Sequence, residues 1–291
     1  QEYNLDISGA TEKTDYYMSM GYLQDPSYIA GSDFRRYSAR FNLNTQIKKW
    51  LRGGFNMAYA RRDTKFQNNN NVSAGTVNSN VFAFKDLFAP VYTLHAWDLD
   101  GNIKRDAYGE IMWDLGTGQT ESPYGTTRRS AFTGYSPAVY ILKDRKQNIT
   151  DDLSGRAYLE ATFLRDFKFT ANISIDNMYD RLLRYSNNES GIAARDNEGS
   201  LQKKHTTNTT INSQQLLTWN HDFGKHHVDA LLGHEYYWNQ SDIVNAYWDH
   251  MLVNNMPQTS NTVRSTGADG KDAARSAIEG YFFRGNYNYA N

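Results

Sequence analysis

A strict two-residue alternation through residues 36–47, RYSARFNLNTQI, constrains this chain more than any other feature. Tyr37, Ala39, Phe41, Leu43 and Ile47 fall on one face, and Arg36, Ser38, Arg40, Asn42, Asn44 and Gln46 on the other. Successive side chains of a β-strand point to opposite faces, so this is a strand with one apolar and one wet face. The pattern returns at 16–22, 51–61, 153–163, 167–176, 228–238 and 281–289, and less cleanly at 3–9 and 207–219. That makes about nine strands. His234 breaks the rule by standing in an apolar register. Glu279 shares the register of Tyr281, which places it beyond any apolar band.

The links between these strands alternate in length. Short turns fall at Ala10–Thr14, Lys48–Trp50, Leu164–Asp166 and Asp222–Lys225, and longer links at 24–33, 63–150, 181–206 and 241–274. Short turns at one end and long loops at the other describe an up-and-down meander, the asymmetry of an outer-membrane barrel. A soluble β-sandwich alternates too, but its strands usually run about 5–6 residues. A strand that crosses a bilayer at a tilt needs about 9–11. Aromatics at strand ends (Tyr16, Tyr17, Trp50, Tyr59, Phe163, Phe167, Tyr236, Trp238, Tyr287, Tyr289) suit two interfacial girdles. The fold expected is all-β, an antiparallel up-and-down transmembrane β-barrel. A lipid-facing charge costs roughly 2–4 kcal/mol near the midplane. Arg36, Arg40, Arg52, Arg156, Glu160, Lys168, Asp176 and Arg284, which share the polar register, are therefore expected to face a wet lumen.

Composition narrows the function classes. The 291 residues are 39% hydrophobic, too polar for one soluble core of that size, yet 14% aromatic with only 5 Pro, unlike a disordered chain. A net charge of −1 supplies no global field for nucleic acid or anionic lipid. The absence of cysteine removes disulfides, thiolate zinc sites and cysteine nucleophiles. No apolar run approaches the ~18 residues of a spanning helix. The opening QEYNLDISGA has no signal-peptide pattern, so a leader has been removed or the chain is internal to something longer.

No catalytic signature is present: G-x-S-x-G, H-E-x-x-H and the P-loop are all missing. Asp98-Leu99-Asp100-Gly101-Asn102 has a calcium-loop look, but EF-hand spacing would put Ala96 and Ala107 at ligand positions, so it reads as a turn. His221, His226, His227 and His234 surround one short turn and read as solvated turn residues rather than metal ligands. No catalytic residue, metal or cofactor is expected. The loop 63–150 is the most functional-looking element. It carries an asparagine run at 68–71 together with Tyr92, Trp97, Trp113 and Tyr124. Aromatic faces with planar polar groups suit capture of a glycan or docking of a lid, and these four residues are the candidates for ligand or lid contact.

Several segments, in order along nearly the whole chain, resemble the SusC/RagA family of TonB-linked outer-membrane proteins. They are SGATEKTDYYMSMGYL, SDFRRYSARFNLN, KKWLRGGFNMAYAR, APVYTLHAWDLDGN, DLSGRAYLEATFLRDFKFTANISID, LLGHEYY and IEGYFFRGNYNY. Gly9-Ala10 stands where the family usually has a glycine pair. The resemblance implies part of a barrel of about 22 strands with an internal plug. The plug would precede residue 1, and further strands would follow Asn291. It also implies import of oligosaccharides, peptides or similar large nutrients across the outer membrane of a Gram-negative bacterium of the Bacteroidota. The implied partners are a SusD-like surface lipoprotein as lid, TonB acting through the plug, outer-membrane lipid, and a glycan or peptide nutrient. The alternative class is a soluble or surface-tethered all-β glycan-binding protein or glycanase, in which the apolar faces would pack together and the charged register would form the outer surface.

Overall fold

A computed structural model describes residues 1–66, 92–129, 133–190, 194 and 198–290. Nine strands form one antiparallel sheet in which each pairs with the next in the meander. They are β1 (Glu2–Ala10), β2 (Thr14–Pro26), β3 (Asp33–Lys48), β4 (Leu51–Phe66), β7 (Arg145–Phe163), β8 (Phe167–Ser186), β9 (Ser200–Phe223), β10 (His226–Met251) and β11 (Thr262–Tyr289). Between β4 and β7 lie a two-stranded hairpin, β5 (Thr117–Ser122) and β6 (Gly125–Arg128), and a short helix α1 (Pro137–Lys143) capped by the Ser136 hydroxyl.

The pairing register turns nine separate alternations into two continuous faces. One rank reads Ile7, Met18, Phe41, Met57, Gly155, Ile175, Ile211, Trp238, Ala277 across all nine strands. The adjacent rank, one residue along, reads Ser8, Tyr17, Asn42, Asn56, Arg156, Ser174, Asn212, Tyr237, Ile278. A one-residue slip anywhere would mix the two, so burial of one face fixes every register at once.

The apolar face has no partner layer among the described residues. Leu5 is 63% exposed, Ile173 53% and Phe283 72%. A sandwich would cover these groups with a second sheet, whereas lipid is the solvent that tolerates such a surface while every strand satisfies its backbone through its neighbours. The buried apolar core that does exist is small. Tyr185, Leu201 and Met251, with Leu183 and Trp248 against them, form it at the far ends of β8–β10. Asn255 donates its backbone N–H to the Tyr185 hydroxyl (3.0 Å), so the 252–261 link folds over that cluster.

Two sequence expectations change. The links expected at 24–33, 181–206 and 241–274 shrink to 27–32, 187–199 and 252–261, and β4 and β7 take residues 63–66 and 145–150 from the link expected at 63–150, because the strands continue further. Beyond the apolar band both faces are polar, as in LQKKHTTNTT, so alternation vanishes while the ladder continues. Tyr17 leaves the girdle set: it pairs with Ser8 and Asn42 on the polar face. Glu279 stands on the apolar face, as the register it shares with Tyr281 requires. It pairs with Tyr236 on the apolar face, accepts from the Tyr281 hydroxyl (2.9 Å) and lies 3.0 Å from His234 Nε2. His234 also meets Gln215 at 2.6 Å, so the polar groups on this face satisfy one another.

Candidate functional site

Two surfaces carry candidate function: the polar face of the sheet and the long connection above it. Register puts Arg36, Arg40, Arg52, Arg156, Glu160, Lys168, Asp176 and Arg284 all on the polar face. Their side chains are loosely engaged. Lys168 Nζ lies 3.6 Å from Glu160, Arg156 donates to Asn172 (3.0 Å), and Arg284 is 4.0 Å from Asp229. Such contacts add little stability, so these groups remain available to water or a polar occupant.

The connection contains a unit that periodicity of two or 3.6 does not reveal. Three short extended pieces pair cyclically through bridges His95–Trp113, Trp97–Ile103 and Arg105–Ile111. Ala96 N–H donates to Met112 O (2.9 Å), Lys104 N–H to Ala96 O (2.9 Å) and Met112 N–H to Lys104 O (3.0 Å). The three residues are eight apart, and Ala96 is fully buried at the centre. The sequence explains this through a recurrent D-x-x-G. Asp98 Oδ1 accepts from the N–H groups of Asp100 (3.0 Å) and Asn102 (2.8 Å), and Asp106 Oδ1 from those of Tyr108 (2.8 Å) and Glu110 (2.9 Å). Gly101 and Gly109 take φ of 81° and 83°, the left-handed region each turn requires. The Asn102 amide, followed by lesser donors, holds the Asp98 carboxyl below its ordinary range. Both aspartates are thus occupied as turn acceptors.

The aromatic candidates do not converge. Tyr92 lies under the Arg129 guanidinium, 5.7 Å from ring centre to Cζ. Arg129 is itself buried and bonds the carbonyls of Asp114 (3.1 Å) and Tyr135 (2.8 Å); burial lowers its pKa. Trp113 stacks obliquely on His95 (4.7 Å) and carries the Lys143 ammonium at 5.7 Å. Trp97 is half-buried, its carbonyl accepting from Glu121 N–H (2.8 Å). Tyr124 is 99% exposed at the β5–β6 tip, and no ring contact joins any two of the four. The asparagine run 68–71 lies outside the described residues. Tyr108, one of the loop's aromatics but not among the four candidates, is nearly fully exposed on the second D-x-x-G turn; the eight-residue recurrence is the signal that marks it as a tip.

Helix α1 fastens the connection to the link that follows β8. Ser136 N–H donates to Ser190 Oγ (2.7 Å), Lys143 pairs with Glu189, and Asp144 accepts from Asn187 N–H (2.8 Å). The four turn histidines each meet a different partner: His221 Asp166 (2.8 Å), His226 Tyr287 (2.6 Å), His227 Asp222 (2.5 Å) and His234 the pair named above.

No family model matches the chain. It is 24% identical over 234 residues to TonB-dependent receptor P3 of Formosa agariphila, covering 80% of this chain and 21% of that protein. TonB-dependent receptor P39 of the same bacterium is 21% identical over 293 residues, covering 98% and 24%. Among solved structures, the RagAB peptide importer in its open-open state superposes with a TM-score of 0.72 at 17% identity, over 99% of this chain and 30% of that one. The chain is similar in sequence to receptors named TonB-dependent and in fold to the RagAB importer. A second structure, of the RagAB peptide transporter, gives 0.68 at 17% identity over the same shares. The chain therefore has the fold of one piece of the wall of such a barrel, and it spans about a fifth to a quarter of the length of the curated relatives it matches.

Proposed function

We propose that this chain is part of the wall of an outer-membrane importer that moves large oligomeric nutrients, peptides or oligosaccharides, inward under TonB. The observation that carries the reading is the unbroken apolar rank across nine strands, backed from β3 to β9 by a rank of Asn, Ser and Arg. Lipid on one side and water on the other satisfy both faces, and a sheet of this kind is complete only when its edges are paired. The likeness to receptors named TonB-dependent supports the energy source, and the RagAB importer supports transport of an oligomer and a lipoprotein lid of the SusD kind. The plug, the contact with TonB and the remaining strands are assigned to other parts of the same protein. The eight charged residues of the polar face line the lumen, and the connection 92–144 meets ligand or lid on the outer side, through Tyr92, Trp97, Trp113 and Tyr124.

Two measurements test this. The full-length protein should require detergent for extraction from source membranes; recovery in detergent-free buffer would overturn the barrel assignment. Disruption of its coding sequence should abolish growth on one defined peptide or oligosaccharide mixture as sole nutrient. Unchanged growth across both classes would overturn the importer reading.

A further inference from the structure

The polar face changes character toward the end away from the short turns. The last three ranks from β3 to β9 contain Arg36, Arg62, Lys146, Arg184 and Lys204 against one carboxylate, Asp180. Asp180 is occupied by neutral donors, Asn148 (2.8 Å) and Thr150 (2.6 Å). Arg62 pairs with Asp152 one rank lower.

Lys146 and Arg184 stand apart even from this group. They are direct cross-strand partners on β7 and β8, an arrangement of like charges that destabilises a sheet. Both are half-buried. Arg184 Nε is buried with no hydrogen-bond partner, and the nearby Tyr140 hydroxyl is likewise buried and unpartnered. Two carboxylates near this end, among the described residues, are engaged elsewhere: Asp144 on Asn187 and Glu189 on Lys143. The Lys146 ammonium rests on the Phe66 ring, 4.4 Å from its centre, and Gln202 follows Arg184 in the same rank. Burial, then the Arg184 charge, lowers the Lys146 pKa, so the free protein holds this pair at a cost.

We propose that Lys146 and Arg184 form an oxyanion subsite at the outer end of the lumen, which takes a carboxylate of the incoming oligomer. The guanidinium fork grips a carboxylate through paired N–H donors and the ammonium adds a point charge. The bound anion relieves the like-charge opposition and satisfies Arg184 Nε, with the Tyr140 hydroxyl as a further donor. The subsite rests on the importer reading, since that reading makes this face a lumen.

The test is equilibrium binding to full-length protein in detergent. Fluorescein-labelled hexaglutamate and hexagalacturonate are the two carboxylate probes, and labelled hexaglutamine is the neutral control. One acidic probe should bind saturably, and which one binds identifies the source of the carboxylate. Lys146→Gln and Arg184→Gln should each weaken it at least about tenfold, the scale of a charge-assisted hydrogen bond. Lys49→Gln, exposed in the short turn between β3 and β4 at the opposite end, should leave it within about twofold. Without probe, Lys146→Gln should raise the unfolding temperature, which a merely structural lysine would not do. The proposal is overturned if neither acid binds, if hexaglutamine binds equally, if Lys49→Gln weakens binding as much, or if Lys146→Gln lowers the unfolding temperature. Equilibrium binding needs no energised uptake. Failure here leaves the importer reading standing, and failed uptake with intact binding overturns that reading alone.

Discussion

Ile173 and Ser174 are adjacent on β8 and separate the two faces in a single step. Ile173 is paired with Ala157 and Ser213 on the apolar side; Ser174 with Arg156 and Asn212 on the polar side. Ile173 is six residues beyond Phe167, where the strand leaves its short turn. At about 3.3 Å per residue and a tilt near 40°, it stands about 15 Å above that turn, close to the middle of an apolar band about 25 Å tall. An arginine there faces lipid at roughly 2–4 kcal/mol, a factor of roughly 30 to 900 in the folding equilibrium. Arginine at 174 faces water and meets only Arg156, which costs at most about 1 kcal/mol. The assay is urea unfolding of full-length Ile173→Arg and Ser174→Arg variants assembled in lipid vesicles, followed by the heat-modifiable mobility of a folded barrel. Equal midpoints for the two variants would refute the face assignment, and with it every register-based argument made for the sheet.

Cysteines at Tyr108 and Leu164, both well exposed at opposite ends of the sheet, should differ in surface labelling of intact cells: Tyr108→Cys reacts, Leu164→Cys does not, and equal labelling would contradict the topology. Replacing Trp97 and Trp113 together with Ala should leave assembly intact, because neither lies in a sheet strand. It should weaken lid co-purification or uptake, with hot-spot losses of about 2 kcal/mol or more; wild-type behaviour in both would reduce the connection to a packed cover. Asp249, buried beyond the band, accepts from Arg264 Nε (2.8 Å), and that guanidinium holds its carboxyl below the ordinary 3.8. A depressed carboxylate contributes stability above its unfolded pKa and loses it as pH falls through the folded value. Hydrogen exchange at the outer ends of β10 and β11 should therefore accelerate below about pH 4 in the native protein. It should lose that acid sensitivity in Asp249→Asn. Leu201→Ala, in the Tyr185 cluster, should loosen the same region by about 2–5 kcal/mol, visible as faster proteolysis at 252–261.

Fold was legible in the sequence wherever one face of a strand is apolar and the other wet. Residues 36–47 and 167–176 announce their register, and the eight charges follow from it without further information. Legibility stops where the chemistry becomes the same on both faces. Thr206, Thr207, Thr209 and Thr210 occupy β9 as firmly as Leu217 does, but nothing in a pattern of hydrophobicity marks them, because ladder hydrogen bonds rather than burial hold them there. The setting of Glu279 is opaque for a related reason. Its acceptability on the apolar face depends on His234 and Tyr281, which lie on a neighbouring strand or two residues along, and a single strand's alternation contains no cross-strand partner. The cyclic unit at 95–113 escaped because its repeat is eight residues, set by aspartate and glycine turns rather than by apolar spacing. Lys146 and Arg184 read as ordinary strand charges until the register sets them opposite each other.

The strands are anchored at one end by short turns, yet they differ in length by about a factor of two. β2–β4 run 13 to 16 residues and β8–β11 run 20 to 28. Some ten extra residues at about 3.3 Å each, tilted near 40°, raise one side by about 25 Å. The rim is consequently a parapet rather than a ring. Its high side is braced where α1 docks at Ser190, and its low side carries only the six-residue link between Pro26 and Asp33. In the importer proposed above, any body resting on this end of the wall would meet the high side of β8–β11 before the low side at β2 and β3.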